Sequence, residues 1–121
     1  MFEILPRTEG KHVAIRLLGS LSEEDLLDMR AHLTGLLAHH DSLRILFVTE
    51  DWTGWEGWRA LWEDAKADVR LNQDVERLAM VGKGTVDRLM TEAMKPFAHA
   101  TVRWFPSGEL EEAWAWLVES R

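Results

Sequence analysis

A hydroxyl, two carboxylates and two indoles fall together in Glu50-Asp51-Trp52-Thr53-Gly54-Trp55. Thr53 followed three residues later by Glu56 has the form of a capping box, in which the Thr oxygen accepts from the Glu56 amide and the Glu carboxylate reaches back. A helix is therefore expected from Gly54. Its apolar positions Trp55, Trp58, Leu61, Trp62, Ala65 and Val69 stand three and four apart, on one stripe. A hydroxyl at a helix start is also a place for a phosphoryl group. The dipole favours the added anion there, while Glu50, Asp51 and Glu56 oppose it. Trp52 and Trp55 beside Asp51 and Thr53 have the makings of a small apolar ligand site, mostly hydrophobic with a few placed polar groups. The plainer reading of the same residues is a helix cap and core packing, and spacing does not separate the two.

Gly82-Lys83-Gly84-Thr85 has the composition of a phosphate loop without its spacing. Arg77 stands where the first glycine belongs, and Gly84 displaces Thr85 from the lysine. A strand-to-helix turn capped by Thr85 is expected instead. Of the five histidines only His39-His40, with Asp41, cluster, and adjacent side chains do not converge on one ion without ligands held from elsewhere. No metal and no cofactor is expected. No paired acid and base, and no Ser/His/Asp set, can be placed, so the expectation is a domain without catalytic activity.

The chain has 121 residues, no cysteine and a net charge of −7. That length suits a single domain over 1–121. The negative balance disfavours nucleic acid and anionic membrane surfaces as partners. Absence of cysteine excludes disulfides and thiolate chemistry and suits a cytoplasmic setting. No run reaches about 18 apolar residues, so no membrane insertion is expected. Met-Phe-Glu-Ile-Leu-Pro at the N-terminus lacks the layout of a secretory signal.

The elements that must position these residues follow from periodicity. Leu43 to Val48 is apolar except at Arg44, the pattern of a strand covered on both faces. Glu50-Asp51 reads as a turn after it. Phe2–Leu5 and His12–Leu18, joined through Pro6 and Gly10, read as an antiparallel hairpin. Ser22 with Asp25 opens a helix whose apolar face runs through Met29, Leu33, Leu36 and Leu37. Arg77–Val81 and Ala100–Phe105 are further strands. Val86, Leu89, Met90, Ala93 and Met94 give a short helix between them. Ser107 is expected to cap a last helix that buries Leu110, Ala113, Trp114, Leu117 and Val118, with Trp116 off the stripe as a candidate homodimer patch. The order is β-β-α-β-α-β-α-β-α, an α/β fold with a mixed, mostly parallel five-stranded sheet flanked by four helices.

This order resembles the SpoIIAA-like family of the STAS superfamily over essentially the whole chain. The resemblance is carried by Phe2-Glu3-Ile4-Leu5-Pro6, Gly19-Ser20-Leu21-Ser22-Glu23-Glu24-Asp25, Glu50 to Trp55, Arg77 to Gly82 and Glu111-Glu112-Ala113-Trp114-Ala115-Trp116-Leu117. By fold the family is similar to anti-sigma factor antagonists and to CRAL-TRIO lipid-binding domains. The antagonists carry an Asp-Ser-Ser-Gly motif whose second serine is phosphorylated. Asp51-Trp52-Thr53-Gly54 matches it loosely and sets Thr53 at the acceptor position, with Trp for the first serine and a shorter link from the strand. The resemblance implies a binding or regulatory domain. It would recognise a protein partner or a small apolar ligand at the edge formed by Asp51, Trp52, Trp55, Lys83 and Thr85. The alternatives are a phospho-switch at Thr53 and a lipid carrier.

Overall fold

Leu43, Ile45, Leu46 and Val48 are all sealed from water, so the third strand is covered on both sides. The computed structural model describes residues 1–20, 22–52, 73–84, 88–89, 92 and 100–119, and only the backbone of Glu50, Asp51 and Trp52. The described elements are β1 (Phe2–Ile4), β2 (His12–Gly19), α1 (Glu23–Leu37), β3 (Leu43–Trp52), β4 (Val75–Gly82), β5 (Thr101–Pro106) and α2 (Leu110–Val118). The strands form one five-stranded sheet in the order β1-β2-β3-β4-β5. β1 runs antiparallel to β2, and β2 through β5 are parallel. The expected mixed sheet with an antiparallel hairpin at its edge is thus present. The expected tryptophan helix from Gly54 lies outside the described residues. Of the helix after it, Arg88, Leu89 and Glu92 have helical backbone.

Side chains alternate across a pleated strand, so the inner strands β3 and β4 feed two cores. Val13, Ile15 and Leu17 of β2 and Leu43 and Ile45 of β3 pack with Met29, Leu33 and Leu37 of α1. Leu46 and Val48 of β3, Ala79 and Val81 of β4 and Phe105 of β5 pack with Ala113 and Leu117 of α2.

Helix α1 begins where the sequence places it. Ser22 Oγ accepts from the Asp25 amide at 3.0 Å, and Asp25 Oδ2 accepts from the Ser22 amide at 3.0 Å. Ser22→Ala should cost about 1 kcal/mol of stability, read from the shift of a urea unfolding midpoint at unchanged slope.

Four details depart from the sequence expectation. Glu50 and Asp51 form no turn: β3 continues through Trp52, because a register shift between Arg16 and Leu18 keeps its polar end paired with β2. Ser107 does not cap α2. It opens a 3-10 turn, Ser107–Glu109, that precedes the helix, so its hydroxyl lies too early to reach α2's first amides and makes no capping bond. Val118 is 38% exposed, while Trp116 is half-buried against Phe105, with ring centroids 5.9 Å apart. Leu89, expected on an apolar stripe, is 62% exposed.

Candidate functional site

The parallel strands end together at one edge, at Gly19, Trp52, Gly82 and Pro106. β3 reaches furthest. Val48 still pairs with Val81 of β4, and the buried Thr49 hydroxyl donates to the Val81 carbonyl at 3.2 Å. Beyond that rung β3 follows, among the described residues, β2 alone, with Asp51 opposite Leu18 and Trp52 opposite Gly19. Gly19 turns the chain away with φ +55°, in the left-handed region that suits glycine. Gly82 meanwhile gives way to exposed Lys83 and Gly84. The fold therefore brings Asp51, Trp52 and Lys83 to the same edge. Thr53, Trp55 and Thr85 lie outside the described residues. The described parallel strands succeed one another across the sheet without reversal. No switch-point crevice arises among them, and the edge is shaped by strand overhang and departing loops.

The opposite, amino-terminal edge holds a polar cluster that sequence reading passed over. Arg44 is only 7% exposed. Its guanidinium donates to the Leu117 carbonyl at 2.9 Å and to the Glu119 carbonyl, and its Nε to Glu76 Oε1 at 3.3 Å. Arg77, opposite Arg44 in register, donates to the Trp116 carbonyl at 2.5 Å and lies 3.7 Å from the Glu119 carboxylate. Helix α2 has no basic residue in its own last turn. Two arginines from the sheet thus supply the cations that its negative end favours. The signal was available as one charged residue inside an otherwise apolar strand.

Glu76 Oε1 accepts from Lys11 Nζ at 2.8 Å and from the Ser42 hydroxyl at 2.9 Å, as well as from Arg44. Those bonds, Lys11's foremost and then Ser42's, hold its carboxyl down at about 2. A carboxylate that acidic is a poor general base toward the Ser42 hydroxyl it holds. The cluster ties elements together. Its contribution is complete above the ordinary carboxyl value of 4.5 and is lost as pH falls from there through about 2. Glu76→Gln should flatten the stability profile in that window and leave its shape near neutrality unchanged, as followed by urea unfolding at stepped pH. His12, beside Arg44 and Lys11, meets the Trp114 ring edge-on at 6.4 Å. Burial first, then Arg44 and Lys11, lowers its pKa, so it packs as a neutral ring.

Among the described residues no group of three or more His, Asp or Glu side chains is placed to hold a metal ion, and His39 and His40 acquire no third ligand. No described helix is long and apolar enough to cross a membrane.

A mixed five-stranded sheet, with helices on both faces and its longest parallel strand overhanging one edge, defines a STAS-like α/β domain, an architecture of binding and regulatory modules. The chain belongs to the SpoIIAA-like family, whose model matches residues 12–118. Its fold is shared by the crystal structure of an uncharacterized protein of the DUF3478 family with a SpoIIAA-like fold from Shewanella loihica PV-4. That similarity has a TM-score of 0.75 at 22% identity, over 97% of this chain and 92% of that one. A search of curated proteins found no match.

Proposed function

We propose that this chain is a non-enzymatic binding domain that recognises a protein partner or a small apolar ligand at the carboxyl edge of its sheet. Asp51, Trp52 and Lys83 contribute to that edge, and Trp55, Thr53 and Thr85 follow them in sequence. The observation that supports this reading is the overhang of β3, whose last residues pair, among the described residues, on the β2 side only, beside exposed Lys83. At the other edge the Arg44 and Arg77 guanidiniums are engaged by carbonyls at the end of α2.

Two measurements test the reading. Native mass spectrometry of the purified protein should show either added mass from a co-purified apolar molecule or, with cognate extract, a stoichiometric protein complex. Lys83→Glu should weaken whichever is found, without changing thermal stability. A complex unaffected by Lys83→Glu and by Trp52→Ala would remove this edge as the recognition surface. The phospho-switch alternative rests on the loose match at Asp51-Trp52-Thr53-Gly54. It predicts phosphate on Thr53 after incubation with cognate extract and ATP, and tandem mass spectrometry finding no phosphate there would end it.

A further inference from the structure

The cations of this acidic protein are not evenly neutralised. Among the described residues, Arg7 pairs with Glu111, Lys11 and Arg44 with Glu76, Arg16 with Glu3 and Arg77 with Glu119. Lys83, Arg88 and Arg103 have no such carboxylate among the described residues, and all three lie toward the β5 side of the sheet. Arg103 is exposed on β5 itself, its guanidinium 4.7 Å from the Phe105 ring centroid and 6.0 Å from that of Trp116. On the other face Arg88 sits 5.7 Å over the Trp104 ring. Stacking on aromatic rings fixes a guanidinium's plane while leaving its N–H groups open to a carboxylate.

Between these two stacks runs a sheet edge. β5 pairs with β4 along Thr101–Pro106, and no described strand lies on its other side. Such an edge presents a row of backbone donors and acceptors that an extended chain can join. Its alternating side chains would set one face of the incoming strand against Arg103 and the other toward Arg88.

The geometry points to β5 as a docking edge for an extended acidic peptide segment of a partner protein, added as a sixth strand and gripped on its two faces by Arg103 and Arg88. This surface is separate from the carboxyl edge proposed above and stands without it. A second copy of the chain suits the edge poorly. Antiparallel pairing of two β5 strands would bring the two Arg103 guanidiniums into one neighbourhood, Pro106 offers no N–H, and each copy carries −7.

The test uses the whole chain, labelled with nitrogen-15, and a capped peptide of alternating glutamate and valine. A peptide of alternating lysine and valine is the control. The acidic peptide should slow amide exchange at alternate positions within 101–105. Its affinity should fall at high salt and drop about tenfold in Arg103→Glu, since reversal removes one attraction and adds a repulsion of similar size. Equal binding of the lysine peptide, or no change in exchange along β5, overturns the proposal, and both are read on the unsubstituted protein. Shifts confined to 49–52 and 82–84 overturn it in favour of the carboxyl edge. Protection of β5 with dimer formation in the absence of peptide overturns it in favour of a second copy.

Discussion

Replacing Arg44 with methionine should destabilise the domain by roughly 3 kcal/mol or more, although no described feature of the carboxyl edge touches this residue. The side chain is buried, and its charge has three acceptors: the carbonyls of Leu117 and Glu119 and the Glu76 carboxylate. Methionine fills much of the volume and supplies no donor. The carbonyls at the end of α2 would then lie over an apolar strand without a partner, and Arg77 alone would face the negative helix end. Glu76 is 44% exposed and keeps Lys11 and Ser42, so most of the loss belongs to the helix terminus. Lysine should recover less than half, because a single ammonium cannot span two carbonyls and a carboxylate as a planar fork does. Urea unfolding measures both. The indole fluorescence of α2, from Trp114 and Trp116, should change before global unfolding in the methionine variant. If Arg44→Met unfolds within about 0.5 kcal/mol of the parent, the anchoring role is wrong.

The second large effect concerns Leu46. It is fully buried on the α2 face, and its in-register neighbours are Ala14 on β2 and Ala79 on β4. Two short side chains flank one long one, and Ala113 of α2 lies in the same cluster. Alanines have nothing to swing into a space left beside them. Leu46→Ala should therefore fall in the upper part of the usual range, roughly 4 kcal/mol. Leu27→Ala, at a position 59% exposed on α1, is the control and should lie within about 0.5 kcal/mol of the parent. A Leu46→Ala cost near 1 kcal/mol would mean that α2 settles into the gap and that its docking is looser than the packing implies.

Much of the frame could be read from residue order because period and turn chemistry agreed. The run from Leu43 announced a doubly covered strand, and Ser22 with Asp25 announced a helix start. Both depend on neighbours in sequence. What escaped depended on neighbours in space. Glu50 and Asp51 look like a turn until a slipped register sets Asp51 opposite Leu18 of β2 and keeps the strand going. Trp116 looks like a surface residue until Arg77, Arg103 and Phe105 are placed around it. Arg44 interrupts an apolar pattern, and its use becomes visible only when the last helix returns its C-terminus across the first rung of the sheet. Ser107 is a good cap by type but stands one turn too early. At the candidate site the sequence reading grouped Asp51, Trp52 and Lys83. It did so by the rule that loops after parallel strands gather together, and that rule carries no information on what is bound.

A photo-crosslinking amino acid introduced in turn at Lys83 and at Ser42 samples the two ends of the parallel strands in the same protein. If recognition occurs at the carboxyl edge, the species found by native mass spectrometry is trapped from position 83 and not from position 42. Trapping from position 42 with none from position 83 would place recognition at the opposite end of the sheet and contradict the account.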